Sequence, residues 1–257
     1  MPRTISTRPT AEAALRALRK LADPARAKHA LRFFRTGKGE YGEGDQFLGI
    51  TVPDVRRVAK VFGELDAKGV RSLLHSPWHE ARLLALVIMV EAFRRGDEAE
   101  RRRWAALYLK ERAWVNNWDL VDVSAATLLG AWIVEHGGAR DRAVLEKLVR
   151  YKNLWDRRIA VVATFAMIRA GDVEPTMRLS RQVLGDKHDL MHKASGWMLR
   201  EAGKRDLAAL RTFLRAHAHE MPRTMLRYAI ERMTPGERAK WMQSTGGKRP
   251  AGKRAAP

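Results

Sequence analysis

The densest run of chemically useful side chains is Asn116-Asn117-Trp118-Asp119-Leu120-Val121-Asp122. Asn116 has the chemistry of a helix N-cap, and Asp119 stands three residues on, as in a capping box. Trp118 and Asp122 are then i and i+4, so they share one face of the helix that follows. An indole beside a carboxylate suits a site that receives positive charge, because the aromatic face and the anion both stabilise it. The competing reading is a buried aspartate satisfied by a helix N-terminus or an arginine.

Two further groups have comparable potential. Trp155-Asp156-Arg157-Arg158 opens another helix, where arginines and free main-chain N–H groups can hold a phosphate. Ion pairing with Asp156 is the plainer alternative. Lys193-Ala194-Ser195-Gly196-Trp197 places a tryptophan among small neighbours that admit close approach, and a core tryptophan also fits that position. Trp78, Trp104, Trp114, Trp132 and Trp241 read as packing residues. His75 and His79 are four apart, but no third ligand accompanies them, so no metal site is expected. No P-loop, GxGxxG or GxSxG motif occurs.

The elements that must position these groups are helices. Period-2 alternation is absent, whereas 3.6-residue stripes recur, as in Leu83, Leu86, Val87 and Val90. Thr10, Pro24 and Pro53 mark helix starts, and Gly96-Asp97 and Gly171-Asp172 each end one helix and cap the next. About a dozen helices follow, joined by short loops. Weak self-similarity links Ser76–Ala85 with Lys152–Val161, and Asp189–Ala194 follows the second after about 36 residues. A period near 38–40 suits helix pairs of the HEAT type. The expected fold is all-α, a helical-repeat superhelix over 10–243. It is flanked by a flexible 1–9 and a basic, disordered 244–257. Gly37–Asp45 carries four glycines in nine residues and must be a loop, with Tyr41 at its centre.

Forty-nine Lys and Arg stand against 29 Asp and Glu, a net charge of +20. Such a charge concentrates polyanions, nucleic acid before an acidic membrane. Without cysteine the chain has no disulfide, thiolate metal site or thiol nucleophile. No apolar run is long enough to span a bilayer, and no signal-like core opens the chain, so a cytoplasmic location is expected.

Taken in order, the motifs resemble the AlkD-type alkylpurine DNA glycosylases. Phe47-Leu48-Gly49-Ile50 with Pro53, Arg56 and Arg57 resembles their F-x-G-[IV]-x-x-P-x-x-R segment. Trp118–Asp122 resembles W-D-x-V-D, Trp155 with Arg158 resembles W-x-x-R, and Lys193–Glu201 resembles K-A-x-G-W-x-L-R-E. The resemblance covers about residues 20–235. It implies a HEAT-like superhelix whose concave basic face holds duplex DNA. It also implies hydrolysis of the N-glycosidic bond of cationic N3- or N7-alkylpurines, without base flipping and without a cofactor. Asp122 would be the catalytic carboxylate, Trp118 and Trp197 would contact the deoxyribose, and Arg158, Arg157 and Lys193 would hold phosphates. Tyr41 and Asp119 are further candidates. A monomer without an obligate protein partner, acting at the bacterial nucleoid, is implied too. Two departures stand out. Asn117 occupies a place that is often aromatic, and Phe33 or Phe34 replaces the family's N-terminal tyrosine. The alternatives are a non-catalytic repeat protein on duplex or unusual DNA, and a helical scaffold for RNA or an acidic protein.

Overall fold

The structure is a computed structural model that describes residues 9–243. The expected basic tail 244–257 and most of the N-terminal segment 1–9 lie outside the described residues. Among those described the fold is all-α, with no strand and a single isolated bridge between Gln46 and Trp78. The chain divides into two compact units at Arg142/Ala143.

In unit 1 the helices are α1 (Ala11–Arg19), α2 (Pro24–Phe33), α3 (Val52–Val61), α4 (Ala67–Leu74), α5 (His79–Arg95), α6 (Glu98–Glu111), α7 (Trp118–Ala125) and α8 (Trp132–His136). The boundary between the units falls inside α9 (Ala139–Leu148). Unit 2 continues with α10 (Leu154–Arg169), α11 (Glu174–Gln182), α12 (Asp189–Arg205), α13 (Leu207–His217), α14 (Arg223–Ala229) and α15 (Pro235–Gln243).

The starts follow from cap chemistry. Thr10, Asp23, Thr51, Asp66 and Asp97 each accept a main-chain N–H from the first turn they precede. Asp97 and Glu100 form a reciprocal capping box. Gly171 closes α10 at φ 95°, a conformation open to glycine, and Asp172 then accepts the Glu174 N–H.

Each unit is built round one long helix, buried on most sides in unit 1 and with seven of its seventeen residues buried in unit 2. In α5, thirteen of seventeen residues are buried, so this helix is the axis of unit 1 rather than an amphipathic surface element. It packs on α3, α4, α6 and α7. In unit 2, α12 takes the same place, against α10, α11, α13 and α14. Helices thus pack chiefly on near neighbours in the chain, as the repeat-like spacing leads one to expect.

Between α7 and α8 the helix continues through a π-helical stretch, Ala126–Ala131. The Ser124 hydroxyl, hydrogen-bonded to the Leu120 carbonyl and to the Tyr108 hydroxyl, is buried at its entrance. Single π-turns inside helices cluster at functional sites. This one follows Asp122 within a turn.

Candidate functional site

Helix α7 carries Trp118 and Asp122 on one face, one turn apart, both half-buried. Its cap differs from the expectation. Asn117, not Asn116, is the N-cap, and its side-chain oxygen accepts the Trp118 N–H at 2.8 Å. Asn116 instead accepts from Arg82 Nη1 at 2.6 Å. Asp119 sits in the first turn, where an anion is favoured by the helix dipole, and accepts the Leu120 N–H at 2.9 Å.

Trp118 has a seat made of rings. Phe34 stacks on it at 5.5 Å with the planes 18° apart, and Phe33 meets it edge-on at 5.9 Å. Phe34 also stacks on Phe47 at 4.9 Å and touches His79 at 4.8 Å. Such pairs add about 0.5–1.5 kcal/mol beyond the area they bury. Phe33 stays 56% exposed, so the rim of the cluster faces solvent.

Beneath the rings lies a buried polar network. Asp45, at the end of the glycine-rich loop, accepts from His79 Nδ1 at 3.1 Å, Arg82 Nη2 at 2.5 Å and Asn117 Nδ2 at 3.0 Å. The other nitrogen of His79, Nε2, lies 2.8 Å from Asp119 Oδ2. Burial disfavours the charge on His79, but Asp119 and Asp45 outweigh it and push its pKa up to about 9. Burial likewise disfavours the charge on Asp45, yet His79, Arg82 and Asn117 hold its carboxyl below the usual range. His75 belongs to a different cluster. It ends α4, bonds Glu111 at 2.7 Å and stacks on Trp114, so it and His79 do not share a helix.

The Phe47–Ile50 motif has a structural explanation. Buried Glu80 accepts three consecutive N–H groups, from Leu48, Gly49 and Ile50, at 2.7–3.1 Å. Gly49 has φ 79°, and a Cβ there would overlap the Asp23 carbonyl oxygen. Arg26 Nε donates to the Gly49 carbonyl at 2.7 Å. The glycine is therefore required by a close crossing of main chains. The loop before it is a series of turns, with Glu40 and Glu43 accepting from the Gly37 and Gly39 amides. Tyr41 is half-buried in this loop, and its hydroxyl donates to the Phe33 carbonyl at 3.4 Å.

Unit 2 holds the remaining candidates. Trp197 is half-buried on α12, with its ring 5.9 Å from Phe165. Its neighbour Gly196 lies against α14, where a Cβ would sit 2.5 Å from the Met225 carbonyl oxygen. Arg158 is only 4% exposed and donates to the Leu190 carbonyl at 2.6 Å. Arg157 pairs with Asp186 at 2.6 Å and donates to the carbonyls of Tyr151 and Lys152. Asp186, on the loop before α12, is thus an ion-pair partner of Arg157. Lys193 is the most open of the three, paired one turn away with Asp189 at 2.8 Å.

Sequence reasoning missed Asp45, His79 and Arg82. Their signal was weak but present, since His79 and Arg82 lie in the segment whose repeat partner contains Arg158.

No helix among the described residues is long and apolar enough to cross a membrane. No curated protein matches the chain. A solved structure titled as a predicted DNA alkylation repair enzyme from Enterococcus faecalis is similar in fold. It matches with a TM-score of 0.65 at 14% identity, over 83% of this chain and 97% of that one. The family model described as DNA alkylation repair enzyme matches residues 14–233. With that match over most of its length, the chain belongs to the DNA alkylation repair enzyme family.

Proposed function

We propose that this protein is a DNA glycosylase that hydrolyses the N-glycosidic bond of cationic N3- or N7-alkylpurines in duplex DNA. The observation that carries this reading is Trp118 one turn from Asp122 on a firmly anchored helix, in a chain of the DNA alkylation repair enzyme family.

The chemistry asks little of the protein. An alkylated purine is already a cation, so the C1′–N bond can break with its electron pair going to the base, without an acid. Positive charge then develops on the sugar. The Asp122 carboxylate opposes it and orients the water that adds to C1′, the water's proton leaving to solvent. One carboxylate suffices where the leaving group needs no protonation. The indoles of Trp118 and Trp197 would lie against the deoxyribose and add cation–π stabilisation. No cofactor enters these steps, and base flipping is not required.

Arg158, Arg157 and Lys193 are the proposed phosphate contacts. Access ranks them: Lys193 is open, Arg157 partly so, and Arg158 is enclosed. Lys193 and Arg157 would touch phosphate directly, while Arg158 would contribute its charge from below. Tyr41 and Asp119 act on the site through the loop and the first turn of α7. The HEAT-like arrangement, a concave basic face, a monomeric state and action at the bacterial nucleoid are parts of the same proposal.

The test is release of free base from duplex DNA carrying N7-methylguanine, with Asp122→Asn alongside. Release by the wild type and its loss in the variant, with DNA binding kept, supports the reading. DNA binding without release by the wild type would favour a non-catalytic DNA-binding protein, which the net charge of +20 also accommodates.

A further inference from the structure

A buried ion costs several kcal/mol unless it is paired and fully hydrogen-bonded. Unit 1 nonetheless buries Asp45, His79 and Arg82 together, each 6% exposed or less. Their arrangement is specific. An ionised carboxylate only accepts hydrogen bonds. His79 faces two of them, Asp45 on Nδ1 and Asp119 on Nε2. Only an imidazole carrying both protons can donate to both at once.

The groups around this ring come from four segments. Asp45 closes the glycine-rich loop, and Asp119 belongs to the first turn of α7. Arg82 and Asn117 reach the ring's surroundings through Asp45. Phe34 and Phe47 pack against the ring at 4.8 and 4.6 Å. Phe34 in turn stacks on Trp118. His79 therefore touches the seat of Trp118 from two directions, through Asp119 on the helix and through Phe34 on the stack.

We propose that His79 is a positioning residue, which by bridging Asp45 and Asp119 locks the glycine-rich loop to the first turn of α7 and sets the placement of Trp118 and Asp122. The inference rests on the reading of Asp122 as the catalytic carboxylate. A bond between α5 and α7 at this point controls the direction in which the Trp118–Asp122 face leaves the core. The raised pKa of His79 agrees with the geometry, since it keeps the ring doubly protonated at neutral pH.

The experiment compares wild type with His79→Gln and Asp119→Asn in full-length protein. A glutamine amide can donate to one carboxylate but not span both. Base release is measured under single turnover and DNA affinity separately, from pH 7 to 9.5. In parallel, fluorotryptophan is incorporated and the Trp118 resonance is assigned with Trp118→Phe.

Release is expected to slow about 10- to 100-fold in both variants, the range for a displacement near 1 Å, while DNA affinity changes less than about twofold. The wild-type rate should fall as the pH approaches 9, and this limb should vanish in His79→Gln. The Trp118 fluorine signal should shift and broaden in both variants while that of Trp197 stays put. Folded variants with wild-type release and an unmoved Trp118 signal would overturn the proposal. If His79→Gln does not fold, Asp119→Asn decides by the same readings. If the wild type releases no base, the glycosylase reading fails by itself, and the Trp118 signal alone decides whether His79 positions that face.

Discussion

Units 1 and 2 solve one packing problem twice, with different chemistry. In each, an arginine in the first turn or so of a long buried helix reaches the start of the second helix beyond it. Arg82 of α5 donates to Asn116, just before α7, and Arg158 of α10 donates to the Leu190 carbonyl in the first turn of α12. Both guanidiniums are at most 4% exposed. The surroundings then diverge. Unit 1 adds the carboxylates of Asp45 and Asp119 with an imidazolium between them. In unit 2, Asp186 pairs with Arg157 and accepts the His188 N–H, while His192 Nε2 donates to the Asp186 carbonyl. There His188 accepts the Leu190 N–H through Nδ1, which requires a neutral ring. The arginine is thus common to both units, and unit 1 adds to it a histidine held between two carboxylates at a helix start. That helix start is α7, whose first residue is Trp118.

The largest expected effect tests whether α7 is the reactive helix. Asp122→Asn should slow base release by at least about 100-fold, as loss of one group that opposes transition-state charge does elsewhere. Trp197→Ala on α12 should cost nearer tenfold and act partly through DNA affinity. If Trp197→Ala were the more damaging for the chemical step, the contrast between the two helices would be reversed. Single-turnover rates with saturating enzyme read this directly.

Next come the two glycines at the close crossings, one in each unit. Gly49→Ala forces a side chain to φ 79° and into the Asp23 carbonyl, and should destabilise by roughly 3–5 kcal/mol. Gly196→Ala has no such backbone strain, but its Cβ would meet Met225 and Tyr228 of α14, so roughly 2–3 kcal/mol is expected. Urea unfolding of the full chain measures both. Equal losses would mean that strain at Gly49 adds nothing to overlap.

Much of this was legible in sequence, and the rest was hidden for physical reasons. The helical period and the capping residues marked most elements, because they are local. The Trp118–Asp122 face was legible because i,i+4 spacing needs only a helix. The cap was misplaced by one residue, since two asparagines compete for it and tertiary partners choose. Asn116 is drawn off by Arg82, which leaves Asn117 to cap. The Asp45–His79–Asp119 chain was invisible because its members are 34 and 40 residues apart. Nothing local marks a histidine as buried between two carboxylates. Arg158 shows the converse limit. Its place at a helix start suggested open phosphate binding, but the fold encloses it.

The sharpest test of the contrast comes from pH, because the two units should respond to it with opposite sign. His79 has its pKa raised from 6.5 to about 9 in the folded state. Between those values the native protein holds a proton that the unfolded chain has lost, so stability falls as pH rises. The contribution is complete below about pH 6.5 and gone above about pH 9, and is worth about 3 kcal/mol at most. His188 has its pKa lowered, chiefly by burial, with Arg157 and His192 also acting against the charge. Below pH 6.5 the unfolded chain binds a proton that native His188 resists. Unit 2 should therefore lose a little stability on acidification and gain nothing further above pH 6.5. Hydrogen exchange read separately in α7 and α12 distinguishes the two. Protection in α7 should drop between pH 7 and 9, after correction for intrinsic exchange, while α12 stays level there and weakens below pH 6.5. The same slope in both helices would mean that the ionic anchor of α7 sets it apart in geometry but not in energy.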